Sequence, residues 1–333
     1  MKYPEIIKEI KKKTFRPVYF LDGEEGFFID SISNLLKDTV LTESEQGFNQ
    51  LVLYGKETDA QTVISSARRF PMMAPYQVLI VKEAQGMRKL EDLLLYVQQP
   101  NPTTVLVINY KHKKLDGRGK LYKALKKNNC LYFNSKKLYD NQIPDWIETY
   151  LKEKKIQISP EAVQLLAEYL GTDLGKIASE LNKILINSEG IKNITVKEVE
   201  ENIGINREYN LFELTKAMSQ NNQIKILRIV KYFGDNQKAA PFPLLTATLY
   251  GFFNKLFLLH SSQNANDSEL VSILGINKFF IKEYKSAARH YNLARIRKNL
   301  GILLQYDMKS KGVDSGNATH PELIKELVFK LIG

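Results

Sequence analysis

Asp22-Gly23-Glu24-Glu25-Gly26 follows directly on the apolar run Val18-Tyr19-Phe20-Leu21. A glycine-bearing turn between a strand and a helix is a place where a chain can cradle phosphate. That chemistry needs backbone N–H groups that reach the phosphates, a lysine to neutralise charge, and a Ser or Thr hydroxyl to hold magnesium. From Gly23 to Asp30 both the lysine and the hydroxyl are missing. Asp22, Glu24 and Glu25 would instead set carboxylates beside a triphosphate, where like charges repel. After the later run Val78-Leu79-Ile80-Val81, a hydrolase of this type carries a magnesium-binding Asp, and Lys82 stands there. Gly23, Glu24, Glu25, Gly26 and Lys82 are therefore read as a degenerate nucleotide loop that binds none. The alternative is an ordinary strand-to-helix turn in a fold that never bound nucleotide. No catalytic residue and no cofactor are expected. The four scattered histidines lack zinc-ligand spacing and the single Cys130 cannot form an intrachain disulfide, so no metal is expected either.

Two other constellations point to binding. Residues 59–70 read as a helix with Val63, Ala67 and Phe70 on one face, stopped at Pro71, with Met72 and Met73 next and Pro75 stiffening the route onward. A proline-bracketed tip, Phe70-Pro71-Met72-Met73, can plug into a groove on another protein, since methionine is flexible and polarizable. The competing reading packs both methionines beneath a sheet. Residues 111–137 hold ten basic residues against one acid, with Tyr110, Tyr122, Tyr132 and Phe133 interleaved. Lys111, Lys113, Lys114, Arg118 and Lys120 could follow a phosphate backbone, or the segment is a solvated helix face beside a sheet edge. A second basic cluster (Lys278, Lys282, Lys285, Arg289, Arg295, Arg297, Lys298) falls on helices that suit subunit contacts equally well.

The elements that position these residues follow from periodicity. Val18–Leu21, Leu51-Val52-Leu53-Tyr54, Val78–Val81, Val105-Leu106-Val107-Ile108 and Leu131-Tyr132-Phe133 are uninterrupted apolar runs. Such runs suit a parallel sheet covered on both faces, with crossover helices between strands. After residue 137 strand signals disappear. Residues 173–187 place Leu174, Ile177, Ala178, Leu181, Ile184 and Leu185 on one helical face with Asp173 as cap. Longer helices follow: one capped by Asn210, one over 223–233, and a broadly apolar one over 243–260. The most apolar stretch, residues 242–259, contains Lys255 and falls short of the roughly 20 residues that span a bilayer. A buried helix is expected, not a membrane contact. The N-terminal residues alternate charge with short apolar steps, unlike a secretory signal, so a cytoplasmic location is expected. The fold class is α/β plus all-α. Three domains are expected, over 1–137, 138–206 and 207–333, with net charges of +8, −5 and +8 within a total of +11. A polyanionic partner is consistent with that balance.

Together these segments resemble the delta subunits of bacterial DNA polymerase III clamp loaders. The resemblance rests on Pro17-Val18-Tyr19-Phe20-Leu21-Asp22-Gly23-Glu24-Glu25 and Arg68-Arg69-Phe70-Pro71-Met72-Met73. It continues through Gly171-Thr172-Asp173-Leu174, Glu180-Leu181-Asn182-Lys183, Leu274-Gly275-Ile276, Tyr284, Ala288-Arg289 and Asp307-Met308-Lys309-Ser310. It implies a non-hydrolysing, AAA+-like (P-loop NTPase type) first domain that binds the beta sliding clamp, a small helical lid domain, and a helical collar domain. The collar would join gamma/tau and delta-prime type subunits, and primed DNA would be met in the assembled complex. The chain would then serve DNA replication as a subunit of a DNA-directed DNA polymerase, a nucleotidyltransferase complex, without catalysis of its own. In this resemblance Met72 and Met73 map to the residues that enter the clamp pocket, where relatives often carry bulkier aromatic or Leu side chains. Two alternatives come from other segments. Residues 268–291 resemble a helix-turn-helix, which would make a DNA-binding protein, although Phe279, Phe280, Ile281 and Tyr284 are more apolar than a groove-reading face needs. An active P-loop-type nucleotide hydrolase with an unusual loop is the other.

Overall fold

The computed structural model describes residues 1–188, 190–203, 209–262, 264–314, 316 and 318–333. The chain divides into two compact units, Met1–Leu138 and Tyr139–Gly333. The boundary expected between residues 206 and 207 lies outside the described residues.

The first unit runs α1 (Tyr3–Lys11), β1 (Val18–Gly23), α2 (Gly26–Thr39), α3 (Glu43–Asn49), β2 (Gln50–Tyr54), α4 (Ala60–Ala67), β3 (Gln77–Lys82), α5 (Leu94–Val97), β4 (Thr104–Lys111), α6 (Lys120–Lys127) and β5 (Leu131–Ser135). All five apolar runs are strands of one sheet, ordered β2-β3-β4-β1-β5 and parallel throughout. Because side chains alternate across a strand, each run serves two cores. Tyr19, Leu21, Val78, Ile80, Val105 and Val107 meet Ile6 and Ile10 of α1 and Ile29, Ile32 and Leu36 of α2. On the other face Val18, Phe20, Leu79, Val81, Leu106 and Ile108 meet α4, α5 and α6 through Val63, Tyr96, Leu121 and Leu125. Burying each such aliphatic side chain stabilises the fold by roughly 1.5–3 kcal/mol.

The second unit runs α7 (Ile143–Glu153), β6 (Gln157–Ile158), α8 (Pro160–Leu170), α9 (Leu174–Asn187), β7 (Asn193–Ile194), α10 (Val196–Ile203), α11 (Leu211–Ser219), α12 (Gln223–Asp235), α13 (Phe242–Ser261), α14 (Asp267–Leu274), α15 (Ile281–His290), α16 (Leu293–Ser310) and α17 (His320–Ile332). Caps expected from the sequence close the helices: Asp173 accepts from Lys176 N at 3.0 Å and Asn210 from Glu213 N at 2.9 Å. The expectation of no strands after residue 137 is corrected, because β6 and β7 form a parallel pair. With two residues each, they carry no periodicity to detect. The α13 helix is long and apolar enough to cross a membrane by length and composition. Its Leu245, Leu249, Phe253 and Leu256 are nevertheless fully buried in a core shared with α11, α12, α16 and α17.

Candidate functional site

The glycine turn between β1 and α2 is short: only Glu24 and Glu25 separate the two elements. Backbone of that length cannot wrap a triphosphate in the manner of a phosphate loop. Glu25 instead caps α2 itself, accepting from Phe27 N at 2.9 Å, so an intrinsic carboxylate holds the helix end that would otherwise attract phosphate. The crevice at the carboxyl end of β1 is also occupied by protein. Gly23 N donates to Lys113 O at 3.0 Å and His112 N donates to Gly23 O at 2.9 Å, which ties the segment after β4 across the strand end. Asp22 is fully buried and accepts from Leu115 N, Tyr132 OH and Asn134 Nδ2, each at 2.8 Å. Burial first, and then the bond to Asp22, push the Tyr132 phenol far above its ordinary pKa, so it remains a donor.

Lys82 ends β3 where a magnesium ligand would be needed. The adjacent Glu83 carboxylate faces Lys111 at 3.6 Å and accepts from Gln85 Nε2. Among the described residues no group of three His, Cys, Asp or Glu side chains could hold a metal ion. The isolated protein is expected to release no phosphate from magnesium-ATP. Turnover by the pure chain that Gly26→Val abolished would overturn this.

The basic segment divides. Lys111 turns inward: its Nζ lies 2.7 Å from Asp30 of α2, with its side chain only 17% exposed. The candidate DNA-binding residue Lys111 is thus engaged within its own unit, through an ion pair that spans 81 residues of sequence and that no local pattern reports. Lys113, Lys114, Arg118 and Lys120 are exposed. The α6 helix presents Leu121, Ala124 and Leu125 to the core and sets Lys123, Lys126 and Lys127 outward, beside the edge strand β5.

The Phe70-Pro71-Met72-Met73 segment lies open to solvent. Phe70 is 80% exposed, Met72 63%, and Met73 completely so. The expected helix over 59–70 is shorter: Asp59 caps its start, accepting from Thr62 N at 2.9 Å, and α4 stops at Ala67. Phe70 therefore lies beyond the helix, off the face it was expected to share with Val63 and Ala67. The cause is distant capture of the helix's last carbonyls, which no intrahelical donor can satisfy. Thr104 Oγ1 donates to Ala67 O at 2.8 Å, and Gln77 Nε2 donates to Arg69 O at 2.5 Å and Ala67 O at 3.3 Å. Asn101 Nδ2 adds a bond to Arg69 O at 3.2 Å. The residue before a proline is also disfavoured in helical backbone when the helix would have to run through it. Beyond Pro71, Asn49 pairs with the backbone of Met72, and Met73 adopts left-handed backbone with φ 52°. The tip is thus an apolar projection on a polar footing, of which Asn49 and Thr104 are buried. Sequence reasoning missed the footing because Asn49, Gln77, and the pair Asn101 and Thr104 come from three separate stretches of the chain.

The helix-turn-helix segment exists as α14, the turn at left-handed Gly275, and α15. Phe280 and Ile281 are buried, so much of the apolar character of the second helix serves the core rather than a groove.

A family model described as DNA polymerase III, delta subunit, matches residues 19–134. DNA polymerase III subunit delta of Bacillus subtilis (strain 168) is 27% identical over 321 residues, covering 92% of this chain and 91% of the relative. The solved Bacillus subtilis DNA clamp loader delta protein shares the fold with a TM-score of 0.54 at 24% identity, covering 99% of both chains.

Proposed function

As a relative of the DNA polymerase III delta subunits, the chain is, we propose, the clamp-gripping member of a clamp loader that does not itself hydrolyse ATP. The observation that carries this reading is the Phe70-Pro71-Met72-Met73 tip, whose side chains face solvent while its backbone is fastened from beneath. Exposed apolar anchors on a fixed backbone are what a hot-spot contact requires. In this reading the first unit binds the beta sliding clamp. The part of the second unit from residue 207 onward joins gamma/tau and delta-prime type subunits as a collar, with residues 138–206 as a small lid domain. The tip prefers a clamp conformation compatible with an open ring, and such a preference shifts the clamp's equilibrium without chemistry in this chain. The protein would work in the cytoplasm, on primed DNA. The deciding experiment is titration of the full chain with the same organism's sliding clamp. Saturable one-site binding supports the reading, and its absence defeats it.

DNA contact through the exposed lysines is a separate part of the proposal. Replacing Lys113, Lys114, Arg118 and Lys120 together by alanine is expected to reduce the slope of log affinity against log salt by about 3 for primed DNA. Lys111→Ala should leave that slope alone, because its charge is spent on Asp30. Fluorescence anisotropy at several salt concentrations separates the two, and an unchanged slope in the quadruple variant would remove this segment from DNA binding.

A further inference from the structure

The Asn49 carboxamide holds Met72 as a neighbouring strand would. Its Oδ1 accepts from Met72 N at 2.6 Å, and its Nδ2 donates to Met72 O at 2.9 Å. The same Nδ2 donates to Glu45 O at 3.1 Å, one turn back in α3. Only this orientation of the amide matches donor to acceptor at both Met72 atoms. Asn49 is 5% exposed and is the last residue of α3, with β2 beginning at the next position. It is therefore fixed by a helix on one side and by the sheet on the other. The α3 helix is closed at its start by a reciprocal cap, in which Glu45 accepts from Thr42 N and Oγ1 at 2.8 Å each.

Across the tip, Gln77 and Asn101 hold Arg69 O. Three carboxamides thus pin the chain on both sides of Phe70 and Pro71, and the methionine side chains remain outside. We propose that Asn49 is a positioning residue for clamp recognition: it holds the Met72 backbone in its bound form before the partner arrives. This rests on the clamp-binding reading given above. An unpinned tip would have to be ordered during binding, and ordering is subtracted from affinity.

The test uses the full chain carrying Asn49→Ala and, separately, Asn49→Asp. The Asp variant keeps the shape and the acceptor but removes both donations. Two measurements are made on each: affinity for the sliding clamp, and amide hydrogen exchange resolved at residues 68–76 and in β1, β3 and β4. Both variants are expected to lose clamp affinity by about tenfold. Exchange at Met72 should accelerate while exchange in the three central strands stays as in the unaltered chain. Global loosening, as from a merely structural role, would accelerate the strands as well and would overturn the proposal. So would accelerated tip exchange with undiminished affinity while a Met72→Ala, Met73→Ala chain fails to bind, and in that case the clamp-binding reading survives. No clamp binding by the unaltered chain would remove both. If Asn49→Ala does not fold, Asn49→Asp decides alone.

Discussion

A chain carrying Met72→Ala and Met73→Ala is expected to bind the sliding clamp about a hundredfold more weakly or worse, since two buried anchors are worth at least about 3 kcal/mol. Both side chains point into solvent, at 63% exposure and complete exposure, so truncating them removes nothing from the core. Thermal unfolding should therefore be unchanged within error, and assembly with other loader subunits should persist. That combination of lost binding and kept stability marks an interface residue. Isothermal titration with the clamp, paired with a melt of the same preparation, reads both quantities. Unchanged affinity would take the tip out of the mechanism. Phe70→Ala in the same assay shows whether the third exposed apolar side chain shares the load.

The second large effect concerns Gly23. A β-carbon there would sit 2.0 Å from Ser135 O and 2.7 Å from Ser135 C and N, on a backbone with φ 127° that L side chains rarely adopt. Gly23→Ala is expected to destabilise the first unit by about 3 kcal/mol or more, from backbone strain and the clash with β5 together. At Gly26 the nearest heavy atom to an added β-carbon is Lys111 Cδ at 3.9 Å, so Gly26→Ala should stay within about 1 kcal/mol of the unaltered chain. Urea denaturation of the two variants makes the comparison. Two glycines that look like one phosphate-loop signature would then separate into one required by the sheet and one that is optional. A tolerated Gly23→Ala would show that β5 yields more than its packing suggests.

Much of the framework was legible because its signals are local. Val78-Leu79-Ile80-Val81 is apolar on both faces and becomes a central strand, and Asp59, Asp173 and Asn210 cap the helices that follow them. The missing lysine and hydroxyl after Gly23 were equally plain. What escaped were relations between distant segments. The end of α4 depends on Gln77 and Thr104, and the fate of Lys111 depends on Asp30. Asn49 looked like any polar residue before a strand, since its partner is 23 positions away. The tip itself was legible as a proline-bracketed apolar turn, but the choice between buried and exposed methionines needed the footing that only the fold reveals.

Met73 sits with φ 52°, in backbone that costs a side-chain-bearing residue about 1 kcal/mol or more. A search for heat-resistant variants would favour Met73→Gly, which relieves the strain, and would discard the thioether in the same step. Durability and grip are thus opposed at this one position. Improvement of either by selection on it alone would come at the expense of the other.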